Sequence, residues 1–272
     1  GRIRISGEWT VFDRGGFFEM TSRFESKVVL VTGGNSGIGQ AIALAFAKEG
    51  AKVVIAARRA SEGSETVAMI EELGGQAHFV QTDVSQAAEV EAMVAECVEQ
   101  YGGLDYAVNN AGIEGTPLVQ TADYEEEAWD QVIAINLKGV WLCMKYEIRE
   151  MLKRGQGAIV NMSSVAGLVG GRIGVAYYAS KHGVVGATKA SALEYAKSGL
   201  RINAVCPAVI ETPMITRALS NNEELVEQFK AMHPVGRFGQ PEEVASATLW
   251  LCSDGASFVT GHALPVDGGR LI

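Results

Sequence analysis

The chain has 272 residues, 47% of them hydrophobic and 20% charged, with a formal net charge of -9. Such a composition describes a globular protein with a substantial core and excludes a disordered one. The acidic balance excludes nucleic acid or an anionic membrane as the main partner.

No apolar run reaches membrane-spanning length, and the opening residues contain no secretory apolar stretch. Cys97, Cys143, Cys206 and Cys252 lie far apart among apolar residues without metal-ligand spacing. They read as buried free thiols, which makes the cytoplasm the expected compartment and metal an unneeded partner. Residues 1–26, GRIRISGEWTVFDRGGFFEMTSRFES, show no clear period. They are expected to form an N-terminal extension, either a natural poorly ordered one or a leader ahead of a native start at Met20.

From Lys27 onward, short β-branched runs alternate with helix-length segments. KVVLVTG, AKVVIAA, AHFVQTD, LDYAVNN, GAIVNMS, LRINAVC and HALPVDG read as strands buried on both faces. IGQAIALAFAKEG, SETVAMIEELGG and AAEVEAMVAECVEQYGG carry apolar residues at helical spacing and end in glycine, as helices do. A longer helix is expected from about Tyr124 to Lys153, its first turn carrying Glu125, Glu126 and Glu127. Another opens at about Val175, and a last one at about Pro241. Seven strands separated by helices predict an α/β, doubly wound parallel sheet of the Rossmann type, covered on both faces, in a single domain over 27–272. Ligands of such sheets lie beyond the carboxyl ends of the strands, so the residues that follow each strand carry the chemistry.

After the first strand, Thr32-Gly33-Gly34-Asn35-Ser36-Gly37-Ile38-Gly39 leads straight into a helix. Glycines there let the backbone turn tightly against a pyrophosphate held at the helix N-terminus. After the second strand stand Arg58 and Arg59 where an NAD enzyme places an acid. A guanidinium holds a 2′-phosphate that a carboxylate repels, which favours NADP(H), with NAD(H) possible; the alternative is an exposed basic turn. Asp83, with Val84 and an expected N-cap at Ser85, either accepts from adenine or closes its own turn. Asn109-Asn110-Ala111-Gly112 follows the fourth strand and serves the adenosine ribose, ties strands together, or both. Pro207 to Met214 follows the sixth strand, where backbone groups and the Thr212 hydroxyl suit a nicotinamide amide. Met214 to Phe238 contains no strand and suits a substrate lid.

The fifth strand ends at Ser163-Ser164, and the helix after it carries Tyr177 and Lys181 one turn apart on one face. An ammonium beside a phenol favours phenolate, which makes Tyr177 a candidate proton donor or acceptor. Tyr-x-x-x-Lys alone is weak, since this composition yields one by chance on the order of one time in four. Its weight comes from the nucleotide-type loop, the arginine pair and the segment after Pro207, all at one sheet edge. Ser164 is favoured over Ser163. Tyr177 is favoured over Tyr178, because His182 occupies the place four residues after Tyr178.

Together these residues resemble the short-chain dehydrogenase/reductase family in its single-domain branch. The resemblance spans nearly everything from Lys27 to Gly269: TGGNSGIG, NNAG, Asn136 within INLKG, Ser164 thirteen residues before Tyr177, Lys181, and Thr212 after a proline. It implies Tyr177 as general acid/base, with Lys181 lowering its pKa and binding the nicotinamide ribose. Ser164 would hold the carbonyl, and Asn136 would support a water-linked proton relay. Cofactor contacts are expected from Gly33, Asn35, Ser36, Gly37, Ile38, Gly39, Arg58, Arg59, Asp83, Val84, Asn110, Ala111, Gly112, Tyr177, Lys181, Pro207, Val209, Ile210 and Thr212. Substrate contacts are expected from Ser164, Val165, Tyr177 and Met214. Pro207-Ala208 departs from the family's usual Pro-Gly and leaves contacts there open. The family also implies a homotetramer.

The expected reaction is hydride transfer between NADP(H) and a small, largely apolar ketone or secondary alcohol. Ile113, Val165, Leu168, Val169, Val209, Met214 and Phe238 either line an apolar cleft or simply pack. Alternatives are a 3-oxoacyl-carrier-protein reductase, with Arg172 facing the carrier rather than solvent, and a sugar- or steroid-type alcohol dehydrogenase using NAD. A non-catalytic dinucleotide-binding sensor has no need of the proton donor, and about thirty residues between the sixth strand and the last helix leave no room for the extra domain of an epimerase.

Overall fold

β-branched runs too short for helices become strands when both of their faces can be buried, and this chain supplies seven of them. The computed structural model describes residues 22–213, 215–216 and 223–272. Met214 and the proposed start at Met20 lie outside these described residues. The strands are β1 (Val28–Thr32), β2 (Lys52–Ala57), β3 (Gln76–Gln81), β4 (Tyr106–Asn109), β5 (Gly157–Met162), β6 (Leu200–Pro207) and β7 (Ala263–Val266). All pair in parallel, in the order β3-β2-β1-β4-β5-β6-β7. The chain winds outward from β1 to β3, then returns to place β4 on the other side of β1. The crevice beyond the ends of β1 and β4 is therefore the switch point.

The helices are α1 (Gly37–Lys48), α2 (Ala60–Glu72), α3 (Ala87–Tyr101), α4 (Glu126–Ile133), α5 (Val140–Arg154), α6 (Val175–Tyr195), α7 (Glu223–Ala231) and α8 (Pro241–Cys252). Alternation along the strands builds two cores. Val28, Leu30, Val54, Ile159 and Ile202 face the layer that includes α3, α5 and α6. Val29, Val31, Val53, Ile55, Val160 and Val205 face α1 and α8. Phe24, within the stretch read as an N-terminal extension, is fully buried in this second core. Its ring meets Phe46 at 4.8 Å and Tyr106 at 5.2 Å, both edge-on.

Three boundaries differ from the pattern. Ser85 is not a helix cap: α3 starts at Ala87 after Gln86, while the Ser85 N–H and hydroxyl both donate to Asp83 Oδ1, at 3.0 and 2.8 Å. The expected continuous helix from Tyr124 to Lys153 begins at Glu126, with Glu125 as its N-cap, and runs to Arg154. It is interrupted by a π-helical turn, Ala134–Gly139, that carries Asn136. The segment from Met214 to Phe238 contains a helix, α7, although still no strand of the sheet.

One buried polar cluster lies beneath the sheet's centre. Asn109 Nδ2 donates to Glu147 Oε2 and to Asn161 Oδ1, both at 3.0 Å, and Asn161 Nδ2 donates to Thr188 Oγ1 at 2.9 Å. Glu147 is fully buried, and its Oε1 has no hydrogen-bond partner. Burial therefore pushes its carboxyl from 4.5 up to about 8, and the Asn109 bond offsets only part of that. The folded protein holds this proton at neutral pH where the unfolded chain does not. Stability from this group is thus complete below pH 4.5 and drains away as pH rises to about 8. Chemical denaturation across that range is expected to show a loss of up to about 1.4 kcal/mol per pH unit. Glu147→Gln should flatten the loss, and an unchanged slope would refute the assignment.

Candidate active site

The site begins with the glycine turn that follows β1. Gly33 and Gly37 hold φ of +64° and +54°, conformations that side chains resist. A Cβ at Gly39 would stand 2.2 Å from the Gly33 carbonyl oxygen and 2.5 Å from Asn110 Nδ2. Only glycine lets α1 start this close to β1. Ser36 is the extended N-cap of α1, and the first turn carries no acid, so the helix's positive end faces the crevice uncompensated. Asn35 is buried within the turn, and Ile38 packs on the second core.

Asn110 clamps this turn from β4. Its Nδ2 donates to the carbonyls of Thr32 and Gly33, at 3.2 and 3.3 Å. In return, Thr32 Oγ1 accepts from the N–H groups of Asn110 and Ala111, at 3.0 and 3.1 Å. Asn109 instead points inward to Glu147, so only the second amide of the pair lies at the crevice. Gly112 follows, its vacant Cβ position 3.7 Å from Lys181 Nζ. Asp83 closes its own turn through Oδ1, and Val84 is buried where Gly139 passes it. Arg58 and Arg59 stand exposed directly after β2. Arg59 pairs with Glu62 at 3.0 Å, whereas Arg58 has no ion-pair partner among the described residues.

Beyond β5, Ser164 caps a short 3-10 turn, its Oγ accepting from the Ala166 N–H at 3.1 Å. The same hydroxyl donates to the Pro207 carbonyl at 3.4 Å and stands close enough to the Tyr177 phenol to pull its pKa down. Ser163 is spent structurally, donating to the Lys181 carbonyl at 2.9 Å. Lys181 is buried, its ammonium donating to the Met162 carbonyl at 2.9 Å and lying 5.5 Å from the centre of the Tyr177 ring. Tyr178 turns away, its hydroxyl crowding the position a side chain at Gly171 would take. The π-helical turn brings Asn136 alongside: its amide receives the Ile113 N–H and donates to the Ile113 carbonyl, both at 2.8 Å, and reaches Ser180 Oγ at 3.3 Å. Such turns expel a residue from the helical ladder, which here frees an asparagine to clamp the β4 loop.

The electrostatics correct one expectation. Tyr177 is not made easier to ionise in this arrangement: desolvation pushes its phenol up to about 12, outweighing the downward pull of the Ser164 bond, and the Glu114 charge adds to the rise. Lys181 falls to about 8 for the same reason, since burial disfavours its charge. Its ammonium donates to the Met162 carbonyl and lies over the Tyr177 ring. Glu114 is a residue the sequence reading missed; its half-buried carboxyl is raised by desolvation, and its place straight after NNAGI was a usable signal.

After β6, the Ala208 N–H bonds to Val266 at 3.1 Å, so its methyl sits on a backbone fixed by β7. The Gly239 N–H donates to the Val209 carbonyl at 3.0 Å and the Glu211 N–H to the Gly239 carbonyl at 2.8 Å, a parallel bridge. In extended chain the next residue's groups face the opposite way. The Ile210 N–H and carbonyl accordingly have no partner among the described residues and face away from the bridge. The Thr212 methyl lies 3.4 Å from the Cβ position of Gly37, which brings this segment over the glycine turn. Of the residues expected to line an apolar cleft, Val165 and Phe238 are buried, the latter against His233, while Val169 stays exposed. Arg172 is exposed.

A bare glycine turn at a helix start, an unpaired arginine at the neighbouring strand end and an unpartnered backbone pair fit a dinucleotide. The family model described as enoyl-(acyl carrier protein) reductase matches residues 33–270. The chain belongs to the short-chain dehydrogenase/reductase family. It is 43% identical over 251 residues to a 2,5-dichloro-2,5-cyclohexadiene-1,4-diol dehydrogenase of Sphingobium indicum, covering 91% of this chain and 98% of that one. To a cyclohexanol dehydrogenase of Acinetobacter sp. it is 44% identical over 249 residues, covering 92% and 96%. A crystal structure of a variant actinorhodin polyketide ketoreductase with NADPH superposes with a TM-score of 0.86 at 41% identity, covering 92% and 99%. This chain is thus a NAD(P)-dependent oxidoreductase of that family.

Gly39→Ala is expected to weaken binding of either dinucleotide about ten-fold or more and to cost about 1–3 kcal/mol of stability, because a methyl cannot enter between Gly33 and Asn110. Fluorescence titration and thermal melting test this; normal binding would show that the turn can shift.

Proposed function

We propose that this enzyme interconverts a secondary alcohol and a ketone on a small, cyclic, largely apolar substrate, preferring NADP(H) to NAD(H). The observation that supports the reading is the grouping of Ser164, Tyr177 and Lys181 at one strand end, with Ser164 bonded to the Pro207 carbonyl at the start of the segment that carries Ile210. When bound, NADP(H) supplies the hydride in one direction and accepts it in the other. Ser164 holds the carbonyl oxygen, and Tyr177 gives its phenolic proton to the alkoxide that forms. Lys181 binds the nicotinamide ribose, and Asn136 supports a water-linked proton path toward it. The Ile210 N–H and carbonyl take the carboxamide, with Thr212 beside them. The cyclic character of the substrate is supported by the two ring-alcohol dehydrogenases among the relatives. The cytoplasm as compartment is supported by four buried free thiols. Exposed Trp250, Phe258 and Ile272 support a homotetramer.

A phenol that stays protonated up to about 12 favours ketone reduction at neutral pH. Oxidation, which needs phenolate, is expected to rise with pH across the alkaline range. Tyr177→Phe should lower kcat in both directions by about 10²–10⁴-fold while changing cofactor affinity little. Steady-state rates over a panel of cyclic ketones and alcohols decide this; retained turnover would remove Tyr177 as the acid.

Arg58 is the guanidinium available to a 2′-phosphate, since Arg59 is engaged by Glu62. Arg58→Ser should raise the KM for NADPH about ten-fold and leave that for NADH nearly unchanged. Equal changes in both would refute the NADP(H) preference.

A further inference from the structure

We infer that His233 is a positioning residue that fixes the backbone receiving the nicotinamide, which rests on the reading of Ile210 given above. His233 lies just beyond α7 and is 2% exposed. Its Nε2 receives the Val209 N–H at 3.3 Å, and its Nδ1 lies 2.9 Å from the Phe229 carbonyl oxygen in α7. The two partners set the chemistry of the ring. An N–H can only donate and a carbonyl can only accept, so Nδ1 carries the proton and Nε2 is the bare acceptor. Neutral imidazole in this one tautomer satisfies both.

The consequence for the site follows from alternation along an extended chain. His233 takes the Val209 N–H, and Gly239 takes the Val209 carbonyl and the Glu211 N–H. Those three bonds pin one edge of the segment and turn the Ile210 N–H and carbonyl to the other. Two of them come from Gly239 and persist in any His233 variant; the third comes from this side chain alone. Phe238 packs edge-on to the ring at 6.3 Å, and the Val235 N–H bonds to the Gly268 carbonyl at 3.3 Å, so the imidazole cannot swing away. Because Phe229 belongs to α7, the same ring couples the lid segment to the nicotinamide end of the cofactor.

The full chain and its variants are titrated with NADPH and, in parallel, with ADP-ribose 2′-phosphate, which lacks the nicotinamide. His233→Phe is expected to weaken NADPH about ten-fold and to raise its KM, while ADP-ribose 2′-phosphate binding stays within about two-fold. His233→Gln, whose amide oxygen reaches the Val209 N–H, should recover most of the loss. His233→Asn keeps only the Phe229 bond and should not. Equal loss for both ligands, no loss for either, or equal behaviour of the Gln and Asn variants overturns the assignment. If His233→Phe does not fold, the Gln and Asn pair decides it. A wild-type chain that binds both ligands equally would instead overturn the nicotinamide reading, and the inference with it.

Discussion

Everything at this site depends on how the ends of β1 and β4 are held together. Beyond the switch point the chain leaves the two strands, and the Thr32 and Gly33 carbonyls on one side and the Asn110 and Ala111 N–H groups on the other need partners. One asparagine and one threonine close the gap reciprocally: the Asn110 amide donates to the Thr32 and Gly33 carbonyls, and Thr32 Oγ1 receives the two N–H groups that follow β4. Buried backbone groups demand such partners, and a missing one costs about 1–3 kcal/mol. The clasp also explains the glycine at position 39, because the Asn110 amide occupies the space its side chain would need.

A second constraint is desolvation. The arrangement that brings Tyr177, Ser164 and Lys181 together buries Ser164 and Lys181 and leaves Tyr177 partly buried, and desolvation acts on both ionisable groups in the direction of neutrality. The phenol is therefore stabilised as the acid, the form that ketone reduction consumes. The Lys181 ammonium is held in place by its bond to the Met162 carbonyl. The same cost governs Glu147, one layer deeper, whose uncompensated oxygen makes the carboxyl keep its proton. Proximity of opposite charges in sequence is thus a poor guide to ionisation once the dielectric falls.

The strands and their parallel arrangement were legible because short β-branched runs and glycine-terminated helices are local signals. Tyr177 could be separated from Tyr178 by its four-residue spacing to Lys181, and Ser164 from Ser163 by the interval that the family resemblance implies; in the fold Ser163 bonds to the Lys181 carbonyl and Tyr178 packs on Gly171. What spacing could not supply were partners distant in sequence. Ser85 looks like a cap until Asp83 is seen to take both of its donors. Apolar periodicity runs straight through the π-helical turn at Asn136, because one extra residue per turn leaves the composition unchanged. His233, between α7 and the backbone after β6, shows no sequence signal at all, since its partners are a main-chain N–H and a main-chain carbonyl.

That difference bears on how one floor can serve many substrates. The groups proposed for catalysis stand at the end of β5 and on α6. The walls are loops, fixed by single backbone bonds that any sequence can make. The Leu118 N–H donates to the Ile173 carbonyl at 3.0 Å, joining the loop after β4 to the one before α6. Leu118 itself holds φ of +62° with its side chain exposed, a conformation a leucine keeps only where its surroundings impose it. Tyr124 adds a second tie, its hydroxyl receiving the Thr116 N–H at 3.2 Å. The first of these ties is main chain to main chain and survives side-chain changes, whereas the second needs the Tyr124 hydroxyl. On the proposed reading, the loops can vary with the substrate while Ser164, Tyr177 and Lys181 keep their places on β5 and α6.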